Sequence, residues 1–170
     1  MSGLIPVTQN QGKASTELIT CRVGDQWLGL LVQQVREIVV KQSYTEVPLA
    51  PKTVSGLINL RGKVMTQIEL RAAMGLPERG EDELYHVAII ETFDGEDFGM
   101  MVDEVGEVIS MNASEYEPAP KTLPAIWRRV SNGVLKQDNR VLVLVDVERL
   151  IALTLPQQAD KEVSETRTIH

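Results

Sequence analysis

The strongest structural signal in the chain is the run Gly56-Leu57-Ile58-Asn59-Leu60-Arg61-Gly62-Lys63-Val64. Arg61-Gly62 is typical of a hairpin tip, because glycine readily adopts the positive φ that tight turns require. Residues 64–70 then alternate, with Val, Thr, Ile and Leu on one face and Met, Gln and Glu on the other. A period of two predicts a half-buried β-strand. The run therefore predicts a β-hairpin.

The same pattern occurs a second time in the chain. Residues 56–71 match residues 133–148 at a spacing of 77, and residues 28–39 match residues 98–109 at a spacing of 70. Both matches are free of gaps and keep the same order. The difference in spacing places seven extra residues in a proline-containing segment, which indicates an inserted loop. We interpret the chain as a duplicated unit, since an internal repeat restricts the architecture more than local propensity does.

Each copy is predicted to be mainly β-structure. Turn signals stand at Gly24-Asp25, Asp94-Gly95 and Asp138-Asn139, as well as at the first hairpin. In the strand over residues 141–147, leucines also occupy the second face, so both sides should be covered. Short helices are expected over residues 70–74, 125–130 and 147–155. The prediction is two five-stranded antiparallel units that are related by a pseudo-twofold axis and share a seam.

Composition excludes several classes of protein. The 170 residues carry 17 Lys+Arg and 24 Asp+Glu, which gives a net charge of −7. This acidic balance disfavours nucleic acid or an anionic membrane surface as the main partner. One cysteine forms no intramolecular disulfide, and no apolar run is long enough to span a bilayer. We expect a cytoplasmic protein with a flexible leader (residues 1–15), a folded unit (16–155) and a polar tail (156–170).

Sequence motifs for catalysis or cofactor binding are weak. The glycine-rich run fails as a phosphate-binding loop, because Val64 replaces the required Ser or Thr and a strand follows instead of a helix. The two histidines, His86 and His170, are too few for a zinc site or a histidine-based triad. Cys21 shares a strand face with apolar residues and is interpreted as a small buried hydrophobe. No metal site and no cofactor are predicted.

Two charged features leave alternatives open. Glu37 and Glu107 occupy equivalent repeat positions, and a pseudo-twofold axis could bring them together as the acid/base pair of a small acidic hydrolase. Arg61 stands where turn chemistry requires no arginine, so it is suited to bind a carboxylate of another protein. The competing interpretation is an ordinary solvated arginine or an internal ion pair with Glu37.

Further runs accompany the glycine-rich run: Val35-Arg36-Glu37-Ile38, Val54-Ser55 before Gly56, Ile68-Glu69-Leu70-Arg71, Gly99-Met100-Met101-Val102-Asp103-Glu104-Val105 and Arg140-Val141-Leu142-Val143-Leu144-Val145-Asp146. With these runs the chain resembles the CheW family of bacterial chemotaxis coupling proteins. The resemblance extends from about Glu17 to Leu155, and it departs from the family pattern at Thr66-Gln67 and at Glu69.

The resemblance implies two intertwined SH3-like barrels and a non-enzymatic adaptor. Such an adaptor joins the cytoplasmic tips of methyl-accepting chemoreceptors to the regulatory domain of a CheA-type histidine kinase, without inserting into the membrane or binding nucleic acid. Val35, Glu37 and Arg61 match family residues for receptor binding, and Val39 and Val40 are candidates for the kinase contact. The expected location is the cytoplasm, with recruitment to receptor arrays at the inner membrane. An adaptor of a non-flagellar chemosensory pathway is the alternative within the same class.

Overall fold

The computed structural model describes residues 15–155. The predicted leader, apart from Ser15, and the predicted tail lie outside this range. The strands are β1 Ser15–Val23, β2 Gln26–Leu31, β3 Val35–Val40, β4 Val54–Leu60, β5 Lys63–Glu69, β6 His86–Glu91, β7 Asp97–Val102, β8 Glu104–Asn112, β9 Tyr116–Glu117, β10 Ser131–Gln137 and β11 Arg140–Val145. The α-helices are α1 Leu70–Ala73, α2 Ala125–Arg129 and α3 Val147–Thr154, and 3₁₀ turns cover Val32–Gln34 and Ala113–Glu115.

The strands form two sheets that exchange segments between the two repeats. The first sheet has the order β8-β1-β2-β11-β10-β9, and the second has the order β3-β6-β7-β5-β4. Apart from the short β9, every strand occupies the place that its repeat counterpart has in the other sheet. Each sheet thus combines two strands of one half of the chain with strands of the other half. This confirms the predicted mainly β architecture of two intertwined units with short helices.

One detail of the predicted pairing differs. The sequence predicted antiparallel sheets, but β2 pairs with β11 and β5 pairs with β7 in parallel. Both of these pairs join strands from different halves of the chain. No tight turn connects such strands, so nothing in the local sequence fixes their relative direction. The sheets are therefore mixed.

Two glycines mark equivalent bulges in the two halves. The registers of β4–β5 and β10–β11 shift at Gly56 and Gly133, which have φ of 154° and 127°. A Cβ atom on Gly56 would lie 2.4 Å from the carbonyl oxygen of Thr45, and one on Gly133 would lie 2.6 Å from that of Glu117. Both carbonyls belong to segments that pair with the bulged strand, Thr45 with Leu57 and β9 with β10. The bulge glycines therefore permit this close approach in each half.

Core side chains cover both faces of strands β5 and β11, which pair with strands of the other half of the chain. On β11, Leu142 and Leu144 pack in one cluster, while Val143 and Val145 pack in the main cluster, as the sequence predicted. The prediction for β5 is wrong, because its supposedly exposed face is covered. The side chain of Met65 and that of Gln67 are buried, whereas Val64 is 58% exposed. A central strand between two packed layers does not follow the one-sided pattern that its sequence suggests.

The predicted turns and short helices are confirmed, with ends that differ by one residue. Each hairpin turn falls at its predicted dipeptide. The carboxylates Glu69 and Asp146 occupy equivalent positions before α1 and α3, where their side chains accept hydrogen bonds from the N–H groups of Arg71 and Arg149. An acceptor at this position satisfies an otherwise unpaired N–H of the first helical turn.

A buried ionic network joins segments that are distant in the sequence. Asp103, between β7 and β8, accepts hydrogen bonds from the N–H of Gly24 at 2.7 Å and from the guanidinium groups of Arg71 and Arg79. Arg79 also donates to Glu69 at 3.0 and 3.1 Å. The side chains of Arg79 and Asp103 are each 5% exposed. The network therefore connects the β1–β2 turn to α1 and to the start of β8.

Candidate functional site

The β4–β5 hairpin ends in a turn whose two central residues both have positive φ. Arg61 has a φ of 52° and Gly62 a φ of 84°, which is typical of a type I′ turn. Asn59 supports the turn, because its Oδ1 accepts a 3.0 Å hydrogen bond from the N–H of Gly62. The sequence predicted this conformation for Gly62 alone. A non-glycine residue costs roughly 1–2 kcal/mol in this conformation, so turn stability does not explain an arginine there.

Arg61 forms a two-pronged ion pair with Glu37 on β3. Nη1 donates to Oε2, and Nη2 donates to Oε1 at 2.5 Å. Strands β3 and β4 stand at opposite ends of the strand order in the second sheet, so this pair connects the two ends of the sheet. Hydrogen bonding from Arg61, together with its charge, lowers the pKa of Glu37 and keeps that carboxylate charged at neutral pH.

Arg61 forms the internal ion pair with Glu37 that one of its two interpretations predicted. The pair is nevertheless accessible to solvent. The side chain of Arg61 is 69% exposed and that of Glu37 is 31% exposed. A guanidinium has five N–H donors, and the pair with Glu37 uses two of them. Arg61 can therefore keep its orientation and still donate to a second carboxylate.

Val35 lies on the same strand as Glu37, next to a bulge. Val35 pairs with Ile90 and Glu37 pairs with Ile89, so Arg36 is an extra residue in β3. A bulge changes the direction of the side chains beside it. Val35 is half-buried against the main core cluster, and it offers only part of its side chain to a partner.

A second group of ion pairs involves the neighbours of Arg61 and Glu37 in the sequence. Asp97 on β7 accepts from Lys63 Nζ at 2.6 Å and from Arg36 Nε at 3.0 Å, and its side chain is 3% exposed. Arg36 also pairs with Glu91 at 3.1 Å. This group was not predicted from the sequence, because Asp97 follows an acidic turn and carries no pattern that distinguishes it from the turn residues.

The two candidate kinase-contact residues differ in accessibility. Val39 is half-buried against the second core cluster, whereas Val40 is 66% exposed. Val40 lines a surface cavity of about 720 Å³ together with the exposed side chains of Tyr44 and Leu84. We call these three residues the Val40 patch. Tyr44 and Leu84 were not predicted from the sequence, because they lie in segments without strand or helix periodicity.

The hydrolase alternative finds no support in the geometry. Glu37 belongs to the second sheet and pairs with Arg61, whereas Glu107 belongs to the first sheet and pairs with Arg140 at 2.6 Å. Each carboxylate is thus occupied by its own arginine. A general acid needs a carboxyl group that holds a proton near neutral pH, and a lowered pKa at Glu37 opposes this role.

The remaining chemical candidates have structural roles. Cys21 is buried, and burial raises its pKa to about 12, so the thiol is unreactive. His86 begins β6, as expected for a residue near a strand start. Residues 15–155 contain no cluster of three His, Cys, Asp or Glu side chains that could hold a metal ion. Within the same residues, no helix has the length and apolar character that crossing a membrane requires.

Comparison with known proteins identifies the family. The model of the CheW-like domain matches residues 17–154. The probable chemotaxis protein CheW of Rhizobium etli is 31% identical over 150 residues, which cover 88% of this chain and 95% of that protein. The chemotaxis protein CheW of Bacillus subtilis is 32% identical over 154 residues, which cover 91% of this chain and 93% of that protein.

A solved structure shows the same fold. The scaffolding protein TtCheW from Thermoanaerobacter tengcongensis superposes with a TM-score of 0.73 at 27% identity, over 84% of this chain and 92% of that chain. The match covers nearly the whole length of that protein, so the similarity is not limited to one half of the repeat. The chain therefore belongs to the CheW-like family.

Proposed function

We propose that this chain is a non-enzymatic adaptor of bacterial chemotaxis signalling, and that it joins the cytoplasmic tips of methyl-accepting chemoreceptors to a CheA-type histidine kinase. The adaptor role follows from the family, in which the relatives compared are named chemotaxis proteins and one solved structure is named a scaffolding protein. The observation that carries the receptor contact is the exposed ion pair between Arg61 and Glu37. A preset bidentate cation on a rigid hairpin loses little conformational entropy on binding.

Val35, Glu37 and Arg61 form the proposed receptor site. The exposed part of Val35 supplies apolar area, while the opposite charges of Glu37 and Arg61 set the orientation of a helical partner. Arg61 would donate its remaining N–H groups to a receptor carboxylate. The energetic weight of this contact depends on how completely the partner excludes water from it.

The proposed kinase contact uses the Val40 patch, with Val39 supporting it from below. Three exposed apolar side chains around one cavity provide the water-excluded centre that a protein interface needs. The kinase regulatory domain would place an apolar residue in the cavity. In this arrangement the receptor and the kinase occupy different parts of the second sheet.

The adaptor would act in the cytoplasm at receptor arrays beside the inner membrane. Its effect would be thermodynamic, because holding receptor tips and kinase in one assembly lets a receptor displacement bias the kinase between two states. Catalysis would belong to the kinase.

The departure from the family pattern at Gln67 gives no support to a different pathway. Gln67 is fully buried, and its Nε2 donates to Ser55 Oγ at 3.0 Å. A buried side chain does not touch a partner, so this substitution leaves the docking surface unchanged. Gln67 therefore does not favour the non-flagellar alternative, whereas Thr66, the other residue of this departure, is partly exposed and keeps that alternative open.

The test is the charge reversal Arg61→Glu. It places two carboxylates together at the hairpin tip, and we expect receptor-tip binding to weaken roughly 30-fold or more, since truncation of a buried charge pair costs about 2–5 kcal/mol. Binding to receptor signalling tips is measured by calorimetry, and receptor-dependent kinase control by a phosphorylation assay. Unchanged binding and control would refute the assigned site.

The matched control is Arg140→Glu. This substitution makes the same charge reversal against Glu107 in the other half of the repeat, outside the proposed site. It should leave receptor binding within about twofold, which corresponds to less than half a kcal/mol. Equal losses in both variants would mean that net charge, and not the Arg61 site, governs binding.

A further inference from the structure

The two halves neutralise equivalent glutamates with cations from different positions. Glu107 pairs with Arg140, the first residue of β11. The repeat places Lys63, the first residue of β5, at the position of Arg140, yet Glu37 pairs with Arg61 at the hairpin tip. The duplicated scaffold alone would therefore predict a pair between Lys63 and Glu37.

Asp97 accounts for this difference. It occupies the repeat position of Trp27, and Lys63 Nζ contacts Asp97 Oδ2 at 2.6 Å. In the other half, the guanidinium of Arg140 lies 4.0 Å from the ring centroid of Trp27 while it binds Glu107. An aromatic ring stacks on a guanidinium and leaves it free to pair with a carboxylate, whereas a buried carboxylate binds the cation itself.

We infer that Asp97 is a positioning residue of the proposed receptor site: by holding Lys63 it leaves Glu37 to Arg61 and so fixes the hairpin-tip guanidinium on the surface. This inference rests on the proposed function for its biological meaning and on the ion pairs for its structural part. Asp97 is 3% exposed, so it acts through Lys63 and touches no partner itself.

The Asp97 carboxylate binds two cations, and one of them is Lys63. Its two carboxylate oxygens each bind a different cation, Oδ2 with Lys63 and Oδ1 with Arg36. The carboxylate is buried while Lys63 and Arg36 are about half exposed, so solvent screens these contacts only in part. Without the charge of Asp97, Lys63 would be free to compete for Glu37, and Arg61 would lose its fixed bidentate geometry.

The direct test is Asp97→Asn, with Glu91→Gln as the matched control. Both variants remove one negative charge that contacts Arg36, but only the first releases Lys63. We expect Asp97→Asn to weaken receptor-tip binding about three- to tenfold and Glu91→Gln to change it less than twofold. Equal binding of both variants and the unaltered protein would overturn the inference.

A second substitution separates positioning from general stability. In the double variant Asp97→Asn/Lys63→Gln the competing cation is gone, so Arg61 regains sole access to Glu37. Receptor binding should return to within about twofold of the unaltered protein. If binding stays low although circular dichroism shows a folded chain, Asp97 has only a structural role and the inference is wrong.

If Asp97→Asn does not fold, nuclear magnetic resonance of the unaltered full chain tests the same ion pairs directly. Scalar coupling across the hydrogen bonds should connect the Lys63 ammonium to the Asp97 carboxyl group, and Arg61 to the Glu37 carboxyl group. Coupling from Lys63 to Glu37 would overturn the inference whatever the receptor does. If these couplings are found while Arg61→Glu binds receptor normally, the proposed receptor site fails and the positioning by Asp97 stands.

Discussion

Two residues of this chain lower its stability locally, Arg61 through its backbone conformation and Gln67 through the burial of a polar side chain. Arg61 adopts a φ of 52° where its repeat counterpart Asp138 has 50°, and aspartate tolerates this conformation better than arginine. Its compensation is the ion pair with Glu37. Gln67 is fully buried where the other half has Leu144, and its Oε1 accepts no hydrogen bond of good geometry, although its amide interacts with the Tyr85 hydroxyl. The compensation for burying Gln67 is therefore weaker than the compensation at Arg61.

We expect Gln67→Leu to stabilise the protein by roughly 1 kcal/mol, because it removes an unsatisfied buried carbonyl. The hydroxyl of Ser55 loses a donor, but it is partly exposed and can bind water. Urea unfolding measures the change. The reverse substitution in the other half, Leu144→Gln, should destabilise the protein, and receptor binding should stay unchanged in Gln67→Leu. A loss of stability in Gln67→Leu would show that the hydrogen bond to Ser55 outweighs the unsatisfied oxygen.

At the scale of elements, each half contains a bulged hairpin strand that pairs with a short segment along its outer edge. In the second sheet Thr45 exchanges hydrogen bonds of 2.8 and 2.9 Å with Leu57, and in the first sheet β9 pairs with β10. Both segments begin with a tyrosine, Tyr44 or Tyr116, whose ring lies against the bulge glycine. The duplication thus includes a contact that the sequence comparison did not detect.

Gly56→Ala tests this element. The added Cβ would meet the Thr45 carbonyl oxygen at 2.4 Å, and the φ of 154° disfavours any side chain. We expect a loss of roughly 2–3 kcal/mol in the free energy of unfolding.

The control is Gly80→Ala, where the nearest atom, Glu83 Oε1, would be 3.9 Å from the new Cβ. Its effect should stay within about 0.5 kcal/mol. If urea unfolding gives similar values for both variants, the close approach at Gly56 does not constrain the bulge.

Across the whole molecule, the exchanged strands leave few places where one half could unfold while the other remains intact. Asp103 adds a polar connection between segments that lie far apart in the sequence. Burial raises the pKa of Asp103, but the N–H of Gly24 and the charge of Arg79 outweigh this effect and leave the pKa lowered. A lowered folded-state pKa stabilises the protein above the unfolded pKa, and this contribution disappears as the pH falls through the folded pKa.

We therefore expect the free energy of unfolding to decrease as the pH falls below about 4, the pKa of aspartate in an unfolded chain. Asp103→Asn should cost roughly 3 kcal/mol at pH 7, since it leaves Arg79 without one of its buried partners. The difference from the unaltered protein should shrink as the pH falls from about 4 through the lowered pKa of folded Asp103.

Urea unfolding over a pH series measures this dependence. Glu117→Gln serves as the control, because the Glu117 side chain is 46% exposed and lies 3.6 Å from the ammonium of Lys136, whose side chain is 69% exposed. A difference between Asp103→Asn and the unaltered protein that stays constant however far the pH falls would contradict the role of the charge.

The sequence predicted much of the fold because its signals are local. Turn dipeptides and short apolar periods report on a few neighbouring residues, and the helix that starts at Leu70 and the turn at Asp138 were correctly placed for this reason. The burial of Gln67 was missed, because an alternating pattern does not show that a second layer covers the other face. The parallel pairing of β5 with β7 was missed, since strands far apart in sequence leave no local signal of direction.

The candidate site shows the same division. Residues 56–64 and the repeat determined the duplicated β-architecture, and the resemblance pointed to Glu37 and Arg61. Only the tertiary structure decided that these two side chains pair across the two ends of the sheet and that Asp97 binds Lys63. Ion pairs of this kind depend on side-chain distances between strands remote in sequence, and a linear pattern of residues contains no such distances.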